Sequence, residues 1–269
     1  MLKTRSWKYR VFLRYLRFFK YAAFAPTRGE FLESYYVLMR FLDDIVDGDA
    51  PLPEGYPNEI DYLLKKIEFS KKPIDPIDEV DYLMLHCFGV AKKFGEEFRA
   101  ETEDILNSLL FDAKRRGKLI IFPKKELMHH FHLLDIRGTI KATLKVFKDD
   151  PEKYKILEPL GVACRYQYDI EDIETDLAAG YVNISQEECT QFNIVNEDLN
   201  NPSSTKIKRW IRQRAKDGIK LLEEHHRGLH EGNFSQLARW TFLVVYEIPA
   251  RKVFRRVLSQ NQILDSNRK

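Results

Sequence analysis

The chain has 269 residues, of which 44% are hydrophobic and 32% are charged, a composition typical of a soluble globular protein. A chain of this length can bury one large core, although length alone also allows two domains. The formal net charge of +3 is too small to indicate a nucleic-acid-binding protein, and no apolar run approaches the length of a membrane-spanning helix. The cysteines, Cys87, Cys164 and Cys189, show neither disulfide nor metal spacing, which favours a reducing, cytoplasmic compartment.

The first 25 residues predict a basic, amphipathic helix. They contain no acidic residue, and basic side chains interrupt every stretch that could form the apolar core of a signal peptide. A transit peptide, a helix on a membrane surface and an ordinary first helix with a basic outer face all remain compatible with this pattern. We predict peripheral association with anionic membranes, carried by Lys3, Arg5, Lys8, Arg10 and Arg14.

Along the rest of the chain, apolar residues recur at three- and four-residue spacing, which predicts helices. Strand-like alternation is almost absent, and stretches rich in proline or asparagine separate the helical segments. No linker is long enough to separate two domains, so we predict a single all-α domain over residues 1–269, a helical bundle around a central cavity. The predicted helices cover residues 8–24, 28–47, 57–69, 78–95, 98–117, 124–148, 152–177, 205–228 and 233–258.

Two clusters of carboxylates lie far apart in the chain, each within an otherwise apolar helical stretch. Asp43 and Asp47 in the first cluster, like Asp172 and Asp176 in the second, are four residues apart, which places each pair on one helix face. Such pairs repel unless a cation compensates them, and Mg²⁺ is typically held by carboxylates together with substrate phosphates. No glycine-rich phosphate loop is present, so two such helices facing each other would form a cage for Mg²⁺ and a diphosphate. The predicted metal ligands are Asp43, Asp44, Asp47, Asp169, Asp172 and Asp176.

Asp169 and the clusters as a whole each have a second interpretation. Asp169 lies one turn before Asp172 and is either an additional ligand or the partner of Arg165 on the same helix. The clusters as a whole could be two solvated acidic helix faces, but their apolar flanks are not those of a surface helix.

The residues around both clusters resemble the squalene/phytoene synthase family, the head-to-head type of trans-isoprenyl diphosphate synthase. Residues 36–47, Tyr-Val-Leu-Met-Arg-Phe-Leu-Asp-Asp-Ile-Val-Asp, resemble its first aspartate-rich motif, and residues 172–180, Asp-Ile-Glu-Thr-Asp-Leu-Ala-Ala-Gly, resemble its second. The resemblance implies an all-α isoprenoid synthase fold and Mg²⁺-dependent, head-to-head coupling of two prenyl diphosphates.

The second half of the site departs from the family pattern. The family's glutamine and asparagine before the second motif align with Arg165 and Tyr168, and the arginines that flank its glycine align with Ala179 and Tyr181. The family's Tyr-Leu-Pro ending reads Asn-Ile-Ser at residues 183–185. Three functions therefore stay open: head-to-head coupling, a class I terpene synthase or cyclase acting on one diphosphate, and a non-catalytic relative that acts as an assembly or binding protein. The intact aspartates argue against the last, because unpaired carboxylates around an apolar cavity are costly without metal.

Basic and aromatic side chains complete the predicted substrate site. Arg40 matches a family position and either binds phosphate or pairs with Asp44 one turn later. Arg137 and Lys141 lie one turn apart on the helix before the second motif, and we predict that they point towards the two motifs. Residues 114–116 are interpreted as a solvated helix end. Aromatic faces stabilise cations, which makes Tyr36 and Tyr168 predicted substrate contacts.

Overall fold

The computed structural model describes the backbone of residues 7–22 and 25–266 and the side chains of residues 13–21 and 25–259. Within these residues, helices account for all of the regular secondary structure. The all-α prediction is confirmed. The chain divides into two compact units, residues 1–113 and 114–269. The single domain and its central cavity remain predictions.

The first unit contains the helices that lead up to and follow the first motif. Helix α2 begins with Pro26, a residue suited to the first helical position, and ends at Asp47, where Gly48 adopts a left-handed conformation with φ 75°. Its Phe31 stacks on Tyr35 and contacts Phe98, with ring centroids 5.1 and 4.1 Å apart. The helices are α1 (Trp7–Ala22), α2 (Pro26–Asp47), α3 (Glu59–Lys71), α4 (Glu79–Lys92) and α5 (Arg99–Arg115), the last of which crosses into the second unit.

Helix α1 is amphipathic, as predicted. Leu13, Leu16 and Phe19 are buried, whereas Arg14 and Arg17 are exposed. No helix among the described residues is both long enough and apolar enough to cross a membrane. Lys3 and Arg5 lie outside the described residues, and membrane association remains a prediction.

The second unit is built on two long helices that pack against each other, α8 (Tyr154–Glu171) and α12 (Thr205–Glu231). Helix α8 also packs against a π-helical segment (His132–Lys141), and α12 packs against α14 (Ile248–Ser266). The remaining elements are α6 (Lys124–Phe131), α7 (Ala142–Phe147), a 3₁₀ turn (Pro151–Lys153), α9 (Ile173–Ala178), α10 (Gln186–Phe192), α11 (Asn196–Leu199), α13 (Gln236–Thr241) and a second π-helical segment (Phe242–Glu247).

The π-helical segment between α6 and α7 packs against α8. A Cβ atom on Gly161 would lie only 2.6 Å from Cγ1 of Ile136, so the absence of a side chain lets the two elements approach closely. Further along, Arg165 donates to both carboxylate oxygens of Asp135, at 2.8 and 3.1 Å. The hydroxyl of Thr139 donates to the carbonyl of Leu134, five residues earlier, in keeping with the wider π turn.

Three features of the helix pattern differ from the prediction. The predicted helix over 152–177 is broken at Asp172. The predicted helices over 124–148 and 233–258 contain the π-helical segments, which apolar spacing does not reveal. The short helices α10 and α11 were not predicted, because they are too brief to show a periodic pattern; a capping box of Ser185 and Glu188 starts α10.

Candidate active site: two aspartate motifs

The first motif occupies the C-terminal end of α2. Asp44 is buried, Asp43 is half-buried and Asp47 is exposed. The carbonyl of Asp44 accepts hydrogen bonds from the backbone N–H groups of Asp49 and Ala50, at 2.8 and 2.9 Å, which close the helix end. A helix C-terminus carries partial negative charge, so three carboxylates at this end favour a nearby cation.

Arg40 supplies part of that positive charge from the same helix. Its guanidinium lies 2.6 Å from a carboxylate oxygen of Asp43 and 3.5 Å from one of Asp44. The ion-pair interpretation of Arg40 is thus confirmed and extends to Asp43, while phosphate binding remains a prediction. Tyr36, one turn before Arg40, is half-buried.

The second motif spans a break between two helices. Asp172 follows the last residue of α8 and precedes α9, with backbone angles of φ −108° and ψ 8°. The hydrogen bonds from the N–H of Asp172 to Tyr168 and from the N–H of Asp176 to Asp172, both 2.8 Å, nevertheless keep the four-residue register. Asp172 and Asp176 therefore stay one turn apart, and both are half-buried.

The environment of the Asp176 carboxylate is unfavourable to charge. Burial, together with the neighbouring carboxylates of Asp169 and Asp172, raises its pKa to about 7, although the charges of Arg165 and Arg115 oppose the shift. One of its oxygens, Oδ2, accepts a hydrogen bond of 2.9 Å from Nδ2 of Asn183. A divalent cation beside Asp172 and Asp176 would relieve this repulsion.

Arg115 approaches the second motif from the end of α5. It is buried, donates to the carbonyl of Val182 at 3.2 Å and to Oδ1 of Asn183 at 2.9 Å, and lies 5.1 Å from the ring centroid of Tyr181. The interpretation of residues 114–116 as a solvated helix end is wrong for Arg115, because its guanidinium satisfies buried acceptors of the loop after the motif.

Asp169 is engaged in a buried ion pair with Arg214 of α12. The same guanidinium donates to the carbonyl of Asn183 at 2.9 Å and to Glu188 at 3.1 Å. Burial raises the pKa of Asp169, an effect that the Arg214 charge opposes. Arg165, the alternative partner of Asp169, forms an ion pair with Asp135. A ligand role for Asp169 would require it to share its carboxylate with Arg214.

Arg165 and Tyr168 occupy the face of α8 just before the motif. The Arg165 guanidinium lies 4.7 Å from the ring centroid of Phe131 and 5.9 Å from that of Tyr168, which is 42% exposed. Beside the Arg165–Asp135 pair is a cavity of about 280 Å³. Its lining combines apolar residues with a charged rim: Lys125, Met128, His129, Phe131, His132, Asp135, Ile136, Glu158, Gly161 and Val162.

The prediction that Lys141 points towards the second motif is wrong. Its amine lies 3.3 Å from Glu152 and 5.4 Å from the ring centroid of Tyr154. Tyr154 begins α8 and Asp172 follows its end, so about 27 Å of helix separates them at 1.5 Å per residue. The physical reason is that the Glu152 carboxylate and the Tyr154 ring, near the start of α8, attract the amine away from the motif. Arg137 is half-buried on the π-helical segment, and its direction towards the motifs remains a prediction.

The donor set of both motifs fits Mg²⁺, which prefers carboxylate oxygens. Two observations support this fit: burial and neighbouring carboxylates raise the pKa of Asp176, and both motifs lie at helix C-termini. Within the residues that the structure describes, no three histidine, cysteine or acidic side chains already converge into a metal site. The Mg²⁺ assignment thus remains a prediction based on the donor chemistry.

The loop after the second motif is joined to the end of α5 along the backbone. The N–H of Gly117 donates to Ala179 at 2.9 Å, and the N–H of Leu119 donates to Gly180 at 3.2 Å. Gly180 has φ 83°, and a Cβ atom there would lie 2.5 Å from Cα of Gly117. We call this contact of residues 117–119 with 179–180 the glycine seam. Only glycine fits at position 180, because both the backbone angle and the space exclude a side chain.

One of the missed residues had a signal in the sequence. Arg214 lies in the apolar stripe of α12, with Trp210 one turn before it and Gly218 one turn after it, and all three are buried. A charged side chain inside an apolar stripe has to be paired, so Arg214 could have been predicted as the partner of a buried acid. Nothing in the local spacing identifies Arg115 or Asn183.

Comparisons with known proteins show the fold. No protein-family model matches the chain, and no curated protein matches its sequence. The structure is similar to that of squalene synthase HpnC from Alicyclobacillus acidocaldarius, with a TM-score of 0.67 and 16% identity over 92% of each chain. It is also similar to a dehydrosqualene synthase solved with a ligand, with a TM-score of 0.63 and 16% identity over 96% of this chain and 98% of the other. The predicted isoprenoid synthase fold is therefore confirmed.

Proposed function

We propose that the protein is a Mg²⁺-dependent prenyltransferase of the squalene/phytoene synthase type, which ionises an allylic prenyl diphosphate and couples two such molecules head-to-head. The observation that carries the proposal is the crowding of carboxylates at the ends of α2 and α8 in a chain with the fold of squalene and dehydrosqualene synthases. Carboxylates in such surroundings are unfavourable unless a cation joins them.

The chain's own residues have distinct tasks in this proposal. Asp43, Asp44 and Asp47 would hold metal at the first motif, and Asp172 and Asp176 at the second. Bound Mg²⁺ would stabilise the negative charge that develops on the departing diphosphate. Arg40, already beside Asp43 and Asp44, could exchange a carboxylate for a phosphate oxygen.

Protection of the resulting carbocation requires apolar, water-poor surroundings. In the second unit, the cavity of about 280 Å³ beside Arg165 has Phe131, Ile136 and Val162 in its lining, which suits a prenyl chain. The ion pair of Arg165 and Asp135 makes one side of this cavity polar rather than apolar. We therefore keep the terpene synthase as the second candidate function.

One assay separates the candidates. The protein is incubated with Mg²⁺ and geranyl, farnesyl or geranylgeranyl diphosphate, with and without NADPH, and the extract is analysed by mass spectrometry. A product with twice the carbon count of the substrate supports head-to-head coupling, whereas the same count identifies a terpene synthase or cyclase. Unchanged substrate in every reaction, with the protein folded by circular dichroism, would assign the chain to the non-catalytic alternative.

We also propose peripheral association with anionic membranes, which suits a hydrocarbon product. Helix α1 exposes Arg14 together with Phe18 and Tyr21, and each basic residue near such a surface contributes about 1 kcal/mol. Sedimentation with phosphatidylserine-containing vesicles should pellet the protein at low salt and release it at high salt. Failure to pellet at low salt would contradict the proposal, and neutral phosphatidylcholine vesicles are the control.

A further inference from the structure

The side chain of Asn183 connects a buried arginine to a carboxylate of the second motif. Asn183 is 4% exposed. Its Oδ1 accepts a hydrogen bond of 2.9 Å from Arg115, and its Nδ2 donates one of 2.9 Å to Oδ2 of Asp176. Because arginine can only donate, the oxygen of the amide has to face Arg115, and its nitrogen then faces Asp176.

The amide holds its place because its neighbours are fixed. Arg115 also donates to the carbonyl of Val182 at 3.2 Å, and the carbonyl of Asn183 itself accepts from Arg214 at 2.9 Å. Asn183 is thus bound through its side chain to one buried arginine and through its backbone to another. Neither the loop nor the side chain can shift without breaking a charge-assisted hydrogen bond.

The amide also acts as a spacer. An arginine in direct contact with a carboxylate commonly binds both oxygens in a bidentate pair, which would occupy Asp176 completely. With Asn183 between them, Arg115 reaches Asp176 only through a neutral group, and a single oxygen of Asp176 is used.

We infer that Asn183 is a positioning residue for Asp176: it fixes one carboxylate oxygen and keeps Arg115 away, which leaves the other oxygen to bind a divalent cation. The inference rests on the proposed function, since it assumes that Asp176 is a metal ligand. Hydrogen-bond partners of metal ligands commonly change metal affinity or activity by about 10- to 100-fold when they are removed.

The test measures cation binding on the full chain without turnover. Mn²⁺ replaces Mg²⁺ as a paramagnetic probe, and free Mn²⁺ is followed by electron paramagnetic resonance in the presence of inorganic diphosphate. Asn183→Ala should weaken Mn²⁺ binding by about 10-fold or more. Gln186→Ala is the matched control, because its exposed side chain at the start of α10 donates to the carbonyl of Ile121 at 3.1 Å, and it should bind Mn²⁺ as the wild type does.

A double-mutant cycle separates positioning from a general loss of structure. In an Asp176→Asn background, Asn183→Ala should change Mn²⁺ binding by less than about twofold, since an effect exerted through Asp176 cannot be lost twice. Asn183→Ser, which keeps a hydroxyl for Arg115 but removes the amide donor, serves if the alanine variant does not fold. Equal losses in both backgrounds, or unchanged affinity in Asn183→Ala, would overturn the inference.

The outcome is distinguishable from that of the turnover assay. Coupling or cyclisation by the wild type, together with unchanged Mn²⁺ affinity in Asn183→Ala, removes the role of Asn183 and leaves the proposed function intact. Conversely, the double-mutant cycle can give the expected Mn²⁺ affinities while the wild type consumes no prenyl diphosphate. That result supports Asn183 as a positioning residue and contradicts the proposed reaction. Absence of Mn²⁺ binding to the wild type with diphosphate overturns the inference directly.

Discussion

The first motif finds its cationic partner on its own helix, whereas the second finds its partners far along the chain. Arg40 reaches Asp43 and Asp44 over three and four residues. The carboxylates of the second motif are instead supported by Arg115, through Asn183, and by Arg214, through Asp169. A helix end can thus carry several acids either with a half-exposed local partner or with buried partners from other helices. The second arrangement should make the motif more sensitive to distant substitutions.

The largest expected effect is common to both motifs. Asp44→Asn and Asp172→Asn should each lower product formation by about 100-fold or more, because metal stabilisation of the leaving group contributes several kcal/mol and each 1.36 kcal/mol is tenfold in rate. Circular dichroism should stay helical in both variants, since removing a carboxylate also relieves repulsion. Full turnover of either variant with Mg²⁺ would refute the metal role of that motif and so break the comparison.

Stability measurements should then separate the two motifs. Arg214→Met leaves Asp169 buried without its partner, which should lower the free energy of unfolding by about 3–5 kcal/mol. Arg40→Met removes ion pairs to the half-buried Asp43 and the buried Asp44 from an arginine that is 29% exposed, and should cost less, at most about 2 kcal/mol. Urea unfolding checks both values.

The exposed Arg209 on the same helix offers the matched control for Arg214. Arg209→Met should change the free energy of unfolding by no more than about 0.5 kcal/mol. If Arg40→Met and Arg214→Met lower the free energy of unfolding by similar amounts, local and distant partners do not differ in their contribution to stability.

A pH-dependent effect of smaller size should come from α12, the helix that carries Arg214. His225 on this helix is fully buried, and burial lowers its pKa to about 4 from an ordinary 6.5. The unfolded chain therefore takes up this proton first, and the free energy of unfolding should fall as the pH decreases from about 6.5 to about 4. The loss is at most about 3 kcal/mol, at about 1.36 kcal/mol for each pKa unit. Glu247, whose carboxylate lies 3.6 Å from His225, opposes the lowering of the pKa.

His225→Gln removes this proton uptake. Urea unfolding between pH 4 and 7 should show a shallower pH dependence in this variant than in the wild type, while the exposed His230→Gln should behave as the wild type does. An unchanged slope in His225→Gln would mean that the acid sensitivity of the second unit arises elsewhere.

The features that could be predicted from the sequence are those with a short range along the chain. The helices follow from apolar spacing, and the register of Asp172 and Asp176 survives even the helix break because the i to i−4 hydrogen bonds continue across it. The pairing of Arg40 with Asp44 was also within reach, since it spans a single turn.

The features that could not be predicted depend on which elements become neighbours. Arg115 belongs to a run of three basic residues that looks solvated, and only the approach of the loop at Val182 and Asn183 explains why it is buried. Lys141 shares a helix face with Arg137, yet its amine lies at Glu152 and Tyr154, near the start of α8. Arg214 lies between these cases, because its position in an apolar stripe indicates burial but not its partner.

The glycine seam joins two segments that are synthesised at different times. Residues 117–119 leave the ribosome long before residues 179–180, so the backbone acceptors that they use in the folded protein do not yet exist. Contacts between distant parts of a chain form slowly because a long loop has to close first. During synthesis, the end of α5 therefore lacks these contacts at first, and Arg115 stays exposed to water. The second motif is completed only when that guanidinium becomes buried.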